Sequence, residues 1–115
     1  MTHDINIHHE DNHESASSYL VGEIKNLFIN SNRDFSIGLS GGNTPKLTYS
    51  MMAESFDNLS KTFLWTIDDR WIEDDNDLSN QRMINEYFER TDANILKFEF
   101  TSSSPESDAK KYEDK

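Results

Sequence analysis

Two short stretches carry residue types at spacings that chemistry uses. The first is Ser40-Gly41-Gly42-Asn43-Thr44-Pro45, directly after the apolar run Phe35–Leu39. Adjacent glycines permit positive φ and let a ligand approach the backbone. Free N–H groups around Gly42 to Thr44, with the dipole of a following helix, form an anion cradle, and Ser40 and Thr44 add hydroxyl donors. The plain alternative is a tight strand-to-helix turn. The second stretch is Asp68-Asp69-Arg70, followed by an acidic run to Asp77-Leu78-Ser79-Asn80. Arg70 can grip a phosphate or sugar hydroxyls. Asp68 can orient a sugar hydroxyl or act as a base. Here the plain alternative is an Asp–Arg pair that ties down the loop.

Several other chemistries are excluded or disfavoured. The glycine pair lacks the Gly-Lys-Ser/Thr of a nucleotide P-loop and the Gly-x-Gly-x-x-Gly of a dinucleotide site. Glu73, Asp74, Asp75 and Asp77 lack the spacing and glycine of a calcium-binding EF-hand, so a solvated acidic loop is expected. The chain has no cysteine, which removes disulfides, thiolate metal sites and cysteine nucleophiles. All 4 histidines lie in the first thirteen residues. His9 and His13 stand four apart, a spacing a helix can bring to one metal, but the segment is polar and terminal. No metal site is expected, and no histidine base is supplied near the glycine loop from later in the chain.

The elements that must hold these stretches follow from periodicity. Ile5–Ile7 alternates as a short strand. Ala16, Leu20, Ile24, Leu27 and Phe28 recur at helical spacing, and Asn30–Asp34 turns the chain. Phe35–Leu39 reads as a strand. A helix should start at Pro45 with Thr44 as its N-cap, because proline suits a first helical position. Thr62–Ile67 is nearly continuous in apolar and β-branched residues, as in a strand buried on both faces. A helix from Ser79 presents Met83, Ile84, Tyr87 and Phe88. Asn94–Phe100 alternates as a strand, Thr101–Ser107 reads as a turn, and Asp108–Lys115 as the opening of another helix. Strands alternating with helices predict an α/β fold with a mostly parallel sheet and right-handed crossovers.

Composition sets the partners. With 115 residues and 34% apolar content, the chain fits one domain with a thin core. Twenty-two acidic residues against 11 basic ones give a net charge of −11. That field repels nucleic acid and anionic lipid, so neither is expected as a partner. No run approaches a membrane span and the start lacks a secretory pattern, so the cytoplasm is the expected compartment.

Taken together, Ser40–Pro45, Asp68–Arg70 and Asp77–Asn80 resemble the 6-phosphogluconolactonase family. That family carries Ser-Gly-Gly-x-Thr-Pro, then Asp-Glu-Arg or Asp-Asp-Arg, then Asp-x-Ser-Asn. The resemblance implies a Rossmann-like, mostly parallel sheet with helices on both faces. Residues 1–115 would be the N-terminal part of one such domain, whose fold they leave incomplete. It implies hydrolysis of 6-phosphoglucono-1,5-lactone to 6-phosphogluconate in the oxidative pentose phosphate pathway, with a small phosphorylated sugar lactone as ligand and no cofactor. By the same resemblance, Ser40, Gly41, Gly42, Asn43, Thr44 and Asn80 bind substrate, and Asp68 and Arg70 are the catalytic-side residues. Asn43 stands where serine is commoner, which a backbone-mediated contact tolerates. The related glucosamine-6-phosphate deaminases carry Asp-Glu-Tyr in place of the second motif, so Arg70 with Ser79-Asn80 favours the lactonase side. A sugar-phosphate deaminase or isomerase, or a non-catalytic sugar-phosphate-binding module, is the alternative. The family also carries a Gly-x-Asp-Gly-His motif, whose histidine is the expected general base. This sequence lacks it, so the chain is expected to be a fragment inactive by itself.

Overall fold

The computed structural model describes residues 5–29 and 33–115. Its elements run α1 (His13–Ile29), β1 (Phe35–Leu39), α2 (Lys46–Ser55), β2 (Thr62–Thr66), α3 (Asn80–Phe88), β3 (Asn94–Leu96) and α4 (Pro105–Glu113). The three strands form one parallel sheet in the order β1-β2-β3. Ile37 pairs with Leu64 and Leu64 with Ile95, so these three side chains share one face. The expected parallel α/β architecture is therefore present.

That shared face is the core. Leu64, Ile84, Phe88, Met52 and Leu59 are each 1% exposed or less. The apolar stripe of α3 and the Tyr49–Met52 face of α2 close over β2, and α1 packs on α2 through Val21, Ile24 and Phe28. Phe28 meets Phe35 and Phe56 edge-on, with ring centroids 4.5 and 5.0 Å away. On the opposite face, Ser36, Trp65, Leu96 and Tyr112 line a cavity of about 260 Å³ beside α4. Helices thus lie on both faces. β2 alternates between buried and half-buried residues and is not sealed on both sides, because α4 alone covers only part of the Trp65 face.

Three local expectations are corrected, and the start of α1 is set by a cap. Ile5–Ile7 forms no strand; both isoleucines are exposed, and His8 stacks on Tyr19 instead of pairing through its backbone. α1 begins at His13, three residues before the first apolar position, because Asn12 Oδ1 accepts the Ser15 N–H at 2.8 Å. β3 stops at Leu96, short of Phe100. The N–H of Phe98 donates to Gln81 Oε1 (2.8 Å) and that of Thr101 to Asp108 Oδ2 (2.8 Å), so side chains take donors that a longer strand would offer to the sheet. α4 starts at Pro105 rather than Asp108, with Ser104 Oγ capping the Ser107 N–H at 3.0 Å.

α4 is anchored by one carboxylate. Asp108 is 1% exposed. It accepts the Thr101 hydroxyl at 2.5 Å, the Thr101 N–H at 2.8 Å and the Trp71 indole N–H at 3.0 Å. These donors hold its pKa down to about 2 from an ordinary 3.8. The folded-state value lies below the unfolded one, so this stabilisation is complete above the ordinary value. It is lost as pH falls from 3.8 toward 2. Thermal melts followed by circular dichroism should show Asp108→Asn melting lower than wild type at pH 7, with the gap closing as pH falls toward 2. An unchanged gap would remove Asp108 as the source.

Candidate functional site

The parallel register puts the C-terminal ends of β1 and β2 side by side, and both motif loops leave from that edge. The two glycines serve different ends. Gly42 sits at φ 92°, a conformation that side chains rarely adopt. Gly41 is a packing glycine: a Cβ there would lie 2.1 Å from Asn80 Oδ1 and 2.4 Å from Asn80 Cγ. The N–H groups of Gly42, Asn43 and Thr44 find no acceptor among the described residues.

Thr44 does not cap α2. Pro45 occupies the N-cap position, Lys46 N–H donates to the Asn43 carbonyl at 3.3 Å, and the helix starts with Tyr49 N–H on the Pro45 carbonyl at 3.0 Å. The Thr44 carbonyl instead accepts His13 Nε2–H at 2.8 Å, tying the start of α1 to the loop. The Tyr49 hydroxyl donates to the Ser40 carbonyl at 2.7 Å, and burial pushes its pKa up, which keeps the donor in place.

The second loop is organised by Asp69, which the sequence reading left without a role. Its Oδ1 accepts the N–H of Arg70 (2.8 Å) and of Asn80 (2.7 Å), and its Oδ2 accepts the N–H of Gln81 (2.9 Å). Ser79 Oγ caps the Arg82 N–H at 3.1 Å. A carboxylate at the first turn of α3 satisfies donors that have no intrahelical partner and complements the helix dipole. The spacing that signals this is Asp69 followed eleven residues later by the helix start.

Asn80, 7% exposed, joins the two loops. Its Nδ2 donates to the Asp68 carbonyl at 3.0 Å, and its Oδ1 accepts Arg70 Nη1 at 3.1 Å. Arg70 also reaches the Leu78 carbonyl at 3.3 Å. Among the described residues Arg70 makes no ion pair, so the Asp68–Arg70 pair entertained from sequence is not formed.

A cleft of about 410 Å³ lies between the loops, lined by Gly42, Asn43, Lys46, Arg70, Asn80 and Arg82 among others. Arg82 is engaged by Asp77, Glu86 (2.9 Å) and the Asp75 carbonyl (2.7 Å). Lys46 has no carboxylate partner among the described residues. Of the sequence-selected residues, Gly42, Asn43, Arg70 and Asn80 line this cleft and Gly41 backs Asn80. Ser40 and Thr44 border a separate, mostly apolar groove of about 400 Å³ with His13, Leu20, Ile37 and Ile67. The Asp68 side chain is exposed and lines neither space. Among the described residues no three of His, Asp and Glu converge on a metal position.

Residues 8–115 match the family model of glucosamine-6-phosphate isomerases/6-phosphogluconolactonase. The chain belongs to this family. A 6-phosphogluconolactonase of Synechocystis is 35% identical over 82 residues, covering 68% of this chain and 34% of the relative. The crystal structure of a 6-phosphogluconolactonase from Thermotoga maritima superposes with a TM-score of 0.77 at 26% identity, over 91% of this chain and 49% of that one. One from Shewanella baltica gives a TM-score of 0.80 at 23% identity, over 91% and 48%. The chain thus spans about a third of the curated relative and about half of each solved structure.

The Gly41–Asn80 contact yields a double-mutant test. Gly41→Ala should destabilise the fold by about 1–3 kcal/mol, the usual cost of overpacking. In an Asn80→Ala background the same change should cost well under half as much. Urea melts of the four proteins measure the coupling, and additive costs would show that the two residues do not touch.

Proposed function

We propose that this chain forms the substrate-binding half of a 6-phosphogluconolactonase, which hydrolyses 6-phosphoglucono-1,5-lactone to 6-phosphogluconate in the cytoplasm. The observation that carries the reading is the charge of the cleft. In a chain of net charge −11, Lys46 and Arg70 line one space with a glycine turn, and among the described residues neither cation has a carboxylate partner and the turn's N–H groups have no acceptor. Asp77 and Glu86 also line the cleft and share Arg82, so its cationic side is the Lys46–Arg70 edge beside the glycine turn. That edge suits a compact dianion such as a phosphate monoester, and the acidic surround opposes extended polyanions such as nucleic acid.

In the reaction, water adds to the C1 carbonyl, and the ring C–O bond breaks to release the C5 hydroxyl and a carboxylic acid. Arg70 and the N–H groups of residues 42–44 hold anionic oxygens. Asp68 lies beside Asn80 but outside the cleft lining, so it is assigned no contact with the substrate. A base for the attacking water is the role the family resemblance assigns to a Gly-x-Asp-Gly-His histidine, and the sequence contains no such motif. His13 does not replace it, because it lines the separate apolar groove and not this cleft.

Calorimetric titration of the chain with 6-phosphogluconate should show binding. Arg70→Ala or Lys46→Gln should weaken it roughly ten- to hundredfold, the range for removing a charge-assisted contact. Undiminished binding in both variants would move the anion site elsewhere. Ammonia release from glucosamine 6-phosphate by a longer product carrying this chain would favour the deaminase branch instead.

A further inference from the structure

We propose that Asn80 is a positioning residue: it holds the Arg70 guanidinium at the cleft with its charge intact and acts on a bound anion through Arg70. The inference rests on the anion-binding reading of the cleft and assigns Asn80 a different role from direct substrate contact.

The chemistry of the donors fixes the amide's orientation. A guanidinium only donates and the Asp68 carbonyl only accepts. Asn80 Oδ1 must therefore face Arg70, and Nδ2 must face Asp68. The amide has little freedom to turn away. The Asn80 backbone N–H is held by Asp69 Oδ1 at 2.7 Å, and its side chain packs directly against Gly41, where a Cβ would collide with it. The Asn80 side chain thus supplies the acceptor that Arg70 uses and the donor that the Asp68 carbonyl takes.

The neutrality of the acceptor matters as much as its place. Arg70 is exposed, and an exposed arginine loses rotamer entropy when fixed. Most fixed arginines are held by a carboxylate, which also cancels their charge. Here both acceptors, Asn80 Oδ1 and the Leu78 carbonyl, are neutral, and both take Nη1. Nε and Nη2 have no acceptor among the described residues, which leaves one edge of the guanidinium free for a two-point contact with an oxyanion. The nearby carboxylates of Asp77 and Glu86 both pair with Arg82, and neither is within ion-pair distance of Arg70.

The test uses the isotope-labelled 115-residue chain as wild type, Asn80→Ala, Asn80→Asp, Arg70→Ala and the Asn80→Ala/Arg70→Ala double variant. Nuclear magnetic resonance follows the Arg70 guanidinium signals, and titrations use inorganic phosphate and 6-phosphogluconate. In Asn80→Ala the slowly exchanging Arg70 Nη1 signal should vanish and anion affinity fall about tenfold. In the Arg70→Ala background, Asn80→Ala should cost no further affinity. Asn80→Asp should keep Arg70 ordered yet bind phosphate more weakly, because its charge cancels the guanidinium. An Arg70 signal unchanged in Asn80→Ala, or affinity losses that add, overturns the proposal. If Asn80→Ala does not fold, a folded Asn80→Asp with a disordered Arg70 overturns it equally. A wild type that binds neither anion refutes the functional reading, while the Arg70 signal still decides the positioning claim.

Discussion

The Asp69 carboxylate at the start of α3 is the interaction on which the rest of the site depends. It gathers the N–H groups of Arg70, Asn80 and Gln81 onto two oxygens, closing the acidic loop over the first turn of the helix. Each consequence follows by short range. Closing the loop brings Asn80 over the end of β1, and Asn80 in turn reaches Arg70 and the Asp68 carbonyl. Gln81, one residue on, carries the order outward by accepting the Phe98 N–H, which ends β3. A single buried-edge carboxylate thus connects the sheet edge, the third helix and the strand beyond it.

The charge distribution has two scales. Globally the chain is strongly acidic, and most of its carboxylates are exposed. Locally, carboxylates near the cleft are occupied: Asp69 by backbone donors, and Asp77 and Glu86 by Arg82. One guanidinium shared by two carboxylates leaves that group net negative, so the cationic charge is confined to the Lys46–Arg70 edge. A compact anion needs no large basic patch, because two placed cations and a turn of backbone N–H groups can hold it locally.

Much of the architecture was legible in the sequence because periodicity reports burial. The α3 stripe of Met83, Ile84 and Phe88 is buried as its spacing announced, and strands form at Phe35–Leu39 and Thr62–Thr66, though β2 stops before the exposed Ile67 and is not buried on both faces. Boundaries set by single hydrogen bonds were not legible. β3 ends where Gln81 and Asp108 intercept backbone donors, and neither event leaves a local mark near Phe98. Ile5–Ile7 alternates as a strand does, yet no neighbouring strand pairs with it among the described residues. In the site, the glycine loop and Arg70 announced themselves by residue type. Asp69 did not, since one aspartate in an acidic run looks like its neighbours until the fold selects it.

The fit of Asn80 against Gly41 has a consequence for how such chains diverge. With 2.1 Å between the position of a would-be Cβ and the amide oxygen, the two sites share one volume. A methyl at the first and an amide at the second exclude each other. Drift at these positions is therefore correlated: a relative gaining a side chain at the glycine has to shrink the residue at the helix start, and with it give up this means of steering the arginine. Gly42, with open space beyond its Cα, is constrained by backbone handedness alone and drifts under a separate rule. The adjacent glycines look alike in the sequence yet answer to different physical constraints.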